Sequence, residues 1–344
     1  MKPSLDDLKR ITEKMLAEES SYLDLRNACG SLLDFFYQVS EFDDTDPVNG
    51  QHMQSQAGQA VSPEAAAVCI RDFMRTCVFL RGIKEAISTK LQSNPDKAVT
   101  VLYAGTGPFA TLLIPLVTLF SPAQLNMLLL DINPASIAYL SRIIRNFNLE
   151  PYILQVVETD AVTYRIPEQW KPDIILSETM MPSLKTEPQV SIVANLVGQC
   201  PQVLLVPEMI EVSAVLYNNK QTAGKRFMNL ETLLVFTKEA ALKMAAEQQT
   251  GDTVFPVTIL EVQKPAEPGY SRLALLTRIR VFNEHFLNYS ESSLTIPVFV
   301  YNMHSIKTWP AVLNIQYRIF FILFFSISNF CLLLFFLKKL FINN

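Results

Sequence analysis

The run from Ala98 to Met209 constrains the fold more than any other part of the 344-residue chain. Apolar stretches "AVTVLYAG", "LNMLLLDI", "YILQVVETD", "PDIILSE" and "QVLLVPEM" alternate with "FATLLIPLVTLF", "NPASIAYLSRIIRNFNL" and "VSIVANLVGQC", which read as helical. Strands that are apolar at nearly every residue have no face to give to water. Separated by helices, they predict an α/β fold with a parallel sheet covered on both sides. Ligands of such open sheets bind beyond the carboxyl ends of the strands.

Several of those ends carry signals. Gly105 and Gly107 of "YAGTGPFATLL" follow the first strand at an expected helix entrance, with Ala110 in the position of a third glycine. Glycines there let a ligand approach the backbone, and a helix start offers unpaired N–H groups. Asp131 ends the second strand, where an acid suits ribose hydroxyls; a helix cap for "PASIAYL" is the other reading. Asp160 in "ETDA" ends the third strand with the same ambiguity. Together these residues predict a nucleoside ligand without naming it. After the fourth strand, "SETMMPSLKTE" supplies Glu178 and, nine residues later, Glu187. The two form a grip for a cation, or else a strand cap and a solvated helix start.

Around this centre, residues 5–40 show helical periodicity interrupted near Gly30. The polar "EFDDTDPVNGQHMQSQAGQA" reads as a lid or loop. Ser62-Pro63-Glu64 opens a helix that runs on to "SNPDK". Phe36, Tyr37 and Phe42 suit core or lid, and Arg81 either the ligand pocket or the surface. Beyond residue 211, segments such as "EVSAVLY", "SRLALLTRIRVF" and "AVLNIQYRI" predict an antiparallel sheet or barrel. Ile319 to Leu337 has no charge over nineteen residues and basic flanks, the signature of a membrane-spanning helix. An anchor and an aberrant chain end both remain open for it. A net charge of −4 without a Lys/Arg cluster argues against a nucleic-acid partner. Five scattered cysteines, none in a CxxC pair, argue against a disulfide framework and a zinc site. They suit a reducing, cytoplasmic setting. Three histidines, His52, His285 and His304, lack metal-ligand spacing.

The series "YAGTGPFATL", "LLLDINP", "ETDA" and "DIILSE" resembles the class I S-adenosylmethionine-dependent methyltransferases. Within that class the chain is similar to the protein arginine methyltransferases, which carry S-E-x-M and a second Glu nine residues on. Ser177, Glu178, Met180 and Glu187 match. Upstream, Asp72, Arg75, Thr76 and Phe79 match the family's D-x-x-R-T-x-x-aromatic helix. The resemblance implies a Rossmann-like S-adenosyl-L-methionine-binding domain at 62–210, after an N-terminal helical segment and lid at 1–61. A β-barrel or sandwich for substrate and dimer contacts follows at 211–317, then the hydrophobic tail at 318–344. It gives Arg75 the carboxylate of the cofactor's methionyl part. It places Ala104, Gly105, Thr106, Gly107, Asp131, Ile132, Asp160, Ala161 and Ser177 around the cofactor. Glu178 and Glu187 become catalytic, and with Met180 they face the acceptor.

The implied reaction is N-methylation of an amine or guanidine on a small molecule or peptide, by an enzyme with homodimer formation open to it. Departures reshape the acceptor pocket. The family's Thr-His-Trp element is missing, Thr179 stands for an aromatic, Met181 for Gly, and Pro182 stiffens the hairpin. Aminocarboxypropyl transfer of the nicotianamine synthase type, and non-catalytic binding of an adenosyl ligand, are the alternatives.

Overall fold

The computed structural model describes residues 3–184, 188–248, 258–265, 269–306, 309–316, 324–327 and 330–333. Helices α1 (Leu5–Leu16) and α2 (Tyr22–Ser40) each open on a capping box, Ser4 with Asp7 and Ser21 with Asp24. The break therefore falls between them and not at Gly30, which lies inside α2. A helical glycine costs about 1 kcal/mol against alanine. Burial of Leu25, Cys29, Leu32 and Phe36 on the same helix outweighs that cost. The expected polar loop carries a small hairpin, β1 (Met53–Ser55) and β2 (Gly58–Ala60).

The helix expected from Ser62 onward is divided. Helix α3 (Pro63–Val68) gives way to a 3₁₀ turn, and α4 (Phe73–Ser93) starts afresh on Asp72, whose side chain accepts from Arg75 N–H. Asp72 competes with the backbone for that N–H and so begins a helix where it would otherwise sit inside one.

Next come the parallel elements: β3 (Val99–Ala104), β4 (Leu125–Asp131), α5 (Pro134–Asn146), β5 (Ile153–Glu158), β6 (Ile174–Ser177), α6 (Gln189–Gln199) and β7 (Leu204–Val206). The sheet order is β5-β4-β3-β6-β7, all parallel. After β5 the chain crosses back to place β6 beside β3, so the topological switch point lies between those two strands. Ala104 pairs with Ser177 there, so Gly105 and Glu178 leave the sheet side by side. One expectation fails: "FATLLIPLVTLF" is not an α-helix but a set of turns with a 3₁₀ segment, Ile114–Thr118. Pro115 lacks an N–H and biases Ile114 away from the α region, which stops a regular helix.

The remaining elements are β8 (Met209–Tyr217), β9 (Phe227–Thr237), α7 (Lys238–Gln248), β10 (Thr258–Val262), β11 (Arg272–Phe282), β12 (His285–Leu287), β13 (Val298–Asn302), β14 (Ala311–Gln316), β15 (Phe324–Ile327) and β16 (Phe330–Leu333). Antiparallel pairing joins them into two sheets, β12-β11-β8-β9 with β13 on β11, and β10-β14-β15-β16. Barrel closure is not among the described pairings. The segment expected to span a membrane contributes β15 and β16, and no described helix is long and apolar enough to cross one.

Buried Phe36 stacks on Phe109 with centroids 5.2 Å apart, and Phe42 packs on Tyr139 at 4.6 Å. These aromatics bind α2 and the chain after it to the turn beyond β3 and to α5.

Candidate functional site

A cleft opens over the carboxyl ends of β3, β4 and β6. Arg75, Gly105, Thr106, Gly107, Asp131, Ile132, Asp160, Ala161, Glu178 and Met180 all line it. Ala104 and Ser177 lie behind that lining as fully buried strand-end residues. Glu187 lies outside the described residues. Arg81 donates to the carbonyls of Met15 and Ala17, so it caps the end of α1 and is not among the residues lining the cleft. His285 bonds Glu85 at 2.8 Å, and His304 sits in a short 3₁₀ turn after β13.

Gly105 and Gly107 form the floor at φ 78° and 60°, in the left-handed region that side chains avoid. A Cβ on Gly105 would come within 2.3 Å of Thr179 Cγ2. The tight seam between the β3 and β6 exits therefore needs glycine there. Beside it, Asp131 accepts from Gly107 N–H and Asn133 N–H, both at 2.8 Å. Burial pushes its carboxyl up to about 6, against the opposing pull of these hydrogen bonds. A carboxylate kept in so dry a place retains lone pairs for further hydroxyl donors.

At the opposite wall, Asp160 holds the N-terminal hairpin over the cleft. Ser55 Oγ and Gln56 N–H both donate to one of its oxygens at 2.9 Å, and Val162 N–H donates to the other at 3.0 Å. Ser55, Ala60 and Val61 thus join the lining from far away in sequence.

Arg75 and Glu178 meet inside the cleft as a partly buried ion pair, bonded through Arg75 Nη2 and Glu178 Oε2. Their side chains are 15% and 3% exposed, so the Glu178 charge has left bulk water, Arg75 keeps only a little contact with it, and the two depend on each other. Glu178 Oε1 is buried too and has no hydrogen-bond partner among the described residues. An acceptor oxygen in that condition suits a donor from a bound molecule. Asp72 fixes the base of Arg75 through the helix cap, while its other oxygen takes Ser293 N–H and Oγ, both at 2.6 Å. The D-x-x-R spacing is therefore a capping spacing that also ties α4 to the antiparallel sheets.

Sequence reasoning overlooked Tyr103, which lines the cleft near the charges of Arg75 and Asp131 and whose hydroxyl is driven well above its usual pKa by burial. An aromatic inside a continuous apolar strand reads as core, so no signal marked it. It also overlooked Ser55, whose role depends on a contact 105 residues away in sequence.

The fold has relatives among solved structures. The chain superposes on a Trypanosoma brucei PRMT1 enzyme–prozyme heterotetrameric complex with AdoHcy at a TM-score of 0.51 and 13% identity. That match covers 74% of this chain and 87% of the other. Arabidopsis thaliana protein arginine methyltransferase 10, in an open conformation, matches at a TM-score of 0.49 and 10% identity, covering 77% and 93%. No family model and no curated protein matches the sequence. The chain shares the fold of the first of these methyltransferase structures, here a parallel sheet with N-terminal helices and appended antiparallel strands.

Proposed function

We propose that the chain is an S-adenosyl-L-methionine-dependent methyltransferase that methylates a nitrogen of a guanidino or amino group on a small molecule or peptide. One observation carries this reading: a glycine turn, a buried Asp131 and a partly buried Arg75–Glu178 pair share a single cleft at the switch point. The complex with AdoHcy formed by the first structural relative supports the choice of cofactor.

The described residues fit that cofactor by their donor set. Asp131 would take the ribose hydroxyls and Asp160 with Ala161 the base. Arg75 would take the carboxylate of the methionyl end, with Gly105, Thr106, Gly107 and Ile132 as close backbone walls. Bound there, the cofactor supplies a methyl group on a positively charged sulfur. A cationic acceptor would bring a second positive charge into the same water-poor space, which costs several kcal/mol if nothing offsets it. Glu178 offers that offset through Oε1, the oxygen that Arg75 does not take, as the acceptor for an N–H of the guanidinium or ammonium group. Glu187 would add a second anion, and together they aim the nucleophilic nitrogen, since placement supplies most of the rate gain. Met180, buried at the cleft wall, would pack on the acceptor's apolar stem.

Calorimetry and turnover test this together. Glu178→Gln and Glu187→Gln should each lose turnover by roughly a hundredfold, the scale of one lost electrostatic stabiliser. Binding of S-adenosylmethionine should be unchanged in Glu187→Gln and altered in Glu178→Gln, where Arg75 loses its charged partner. Normal turnover in both variants would sink the acceptor grip. Mass spectrometry of a cell extract incubated with protein and labelled cofactor identifies the product. Gain of a methyl supports the reading, whereas gain of an aminocarboxypropyl group, or no product at all, goes against it.

A further inference from the structure

We infer that Gln189 is a positioning residue that fixes the Glu178 carboxylate by clamping the peptide groups on both sides of it. This rests on the proposed role of Glu178 and extends it to a residue outside the cleft lining. Gln189 is the first residue of α6 and only 1% exposed. Its Oε1 accepts from Thr179 N–H at 2.9 Å, Thr179 Oγ1 at 2.8 Å and Ser177 Oγ at 3.1 Å. Its Nε2 donates to Ser177 C=O at 2.9 Å.

Two of these partners are backbone groups of fixed polarity, an N–H and a carbonyl. They leave the amide only one orientation, because a flip would set donor against donor and acceptor against acceptor. The side chain thus bonds the turn as a neighbouring strand would, just where β6 has ended and sheet pairing no longer restrains the chain. Glu178 lies between the two clamped peptides, so its Cα and the start of its side chain are held at the switch point. Helix α6 needs no such bond for itself, since the amide serves another segment. The clamp also joins the start of α6 to the end of β6.

A misplacement of about 1 Å at a reacting group costs on the order of a hundredfold in rate. Gln189→Met has nearly the same shape and none of the hydrogen bonds. It should bind S-adenosylmethionine within about twofold of the unmutated protein, while kcat for agmatine falls about ten- to a hundredfold. An unchanged kcat overturns the inference, as does a loss confined to cofactor affinity. Gln189→Glu is the second variant, for the case in which the methionine disrupts folding. Ionised, the new acid turns an oxygen towards the Ser177 carbonyl; protonated, it restores the missing donor. Its activity relative to the unmutated protein should rise severalfold between about pH 8 and about pH 6. Glu178, which lies between the two bonded residues, and Arg75, which pairs with Glu178, are present in both proteins. A flat ratio counts against the clamp.

If the unmutated protein turns over no agmatine, the acceptor reading suffers and the clamp is judged by hydrogen exchange alone. The Thr179 amide should exchange about tenfold faster or more in Gln189→Met than in the unmutated protein. Equal rates overturn the clamp.

Discussion

Asp131 carries opposed demands. Its carboxylate lines the cleft, where the proposed reading gives it the ribose hydroxyls, yet burial raises its pKa to about 6 from an ordinary value of 3.8. The folded state therefore holds the proton more tightly than the unfolded chain does. Its contribution favours the fold most below pH 3.8 and is lost as pH rises towards 6. The full swing is on the order of 3 kcal/mol. The stability of the unmutated protein minus that of Asp131→Ala, from urea unfolding, should therefore increase as pH falls from about 7 to about 5. A difference that stays level or shrinks would remove desolvation as the dominant cause. The same Asp131→Ala change should weaken binding of S-adenosylmethionine, because the turn loses the acceptor at Gly107 N–H as well as the proposed ribose partner.

Helix α4 links the site to the antiparallel sheets at the scale of elements. Asp72 caps its start, Arg75 lies in its first turn, and further along it Gly82 meets β11. A Cβ on Gly82 would lie 2.6 Å from Val281 Cγ1 and 3.1 Å from Val281 Cβ. Gly82→Ala improves helix propensity by about 1 kcal/mol. Against that, forcing a methyl into a packed seam costs about 1–3 kcal/mol, and a stiff β-branched neighbour lies towards the upper end. The clash should win, giving a lower Tm by differential scanning calorimetry. Because α4 carries Arg75, weaker cofactor binding should accompany it. A rise in Tm would show that β11 yields easily.

Across the whole molecule, the cleft is assembled from the β1–β2 hairpin, the parallel sheet and the turn after β6. A ligand held by all three stabilises the folded state by about 2.7 kcal/mol at a hundredfold excess over its Kd. Saturation with S-adenosylmethionine should slow hydrogen exchange in Ser55–Gly58, in the turn at Gly105 and around Glu178. Strands β8 and β11 should change only by the global increment. Slowing restricted to the Gly105 turn would mean that the hairpin does not close on the ligand. Glu85, bonded to His285 at 2.8 Å and to Asn283 Nδ2 at 2.6 Å, holds α4 against the β11–β12 corner. The antiparallel sheets therefore meet the parallel-sheet half through the helix that bears Arg75.

Local pattern determined the parallel sheet, because a strand apolar on every residue can only be buried on both faces. It also determined the glycine turn and the acids at the strand ends, since turn sterics and strand ends act over a few residues. What it misjudged were elements decided by competing local groups. Pro115 prevented the helix after β3, Asp72 restarted one at Phe73, and the buried face of α2 carried Gly30 through a helix interior. Only tertiary structure could set Arg75 against Glu178, Ser55 on Asp160, and Gln189 across Ser177 and Thr179. Those contacts depend on chain crossings, and the order in which strands pair is not written into the periodicity of any one segment.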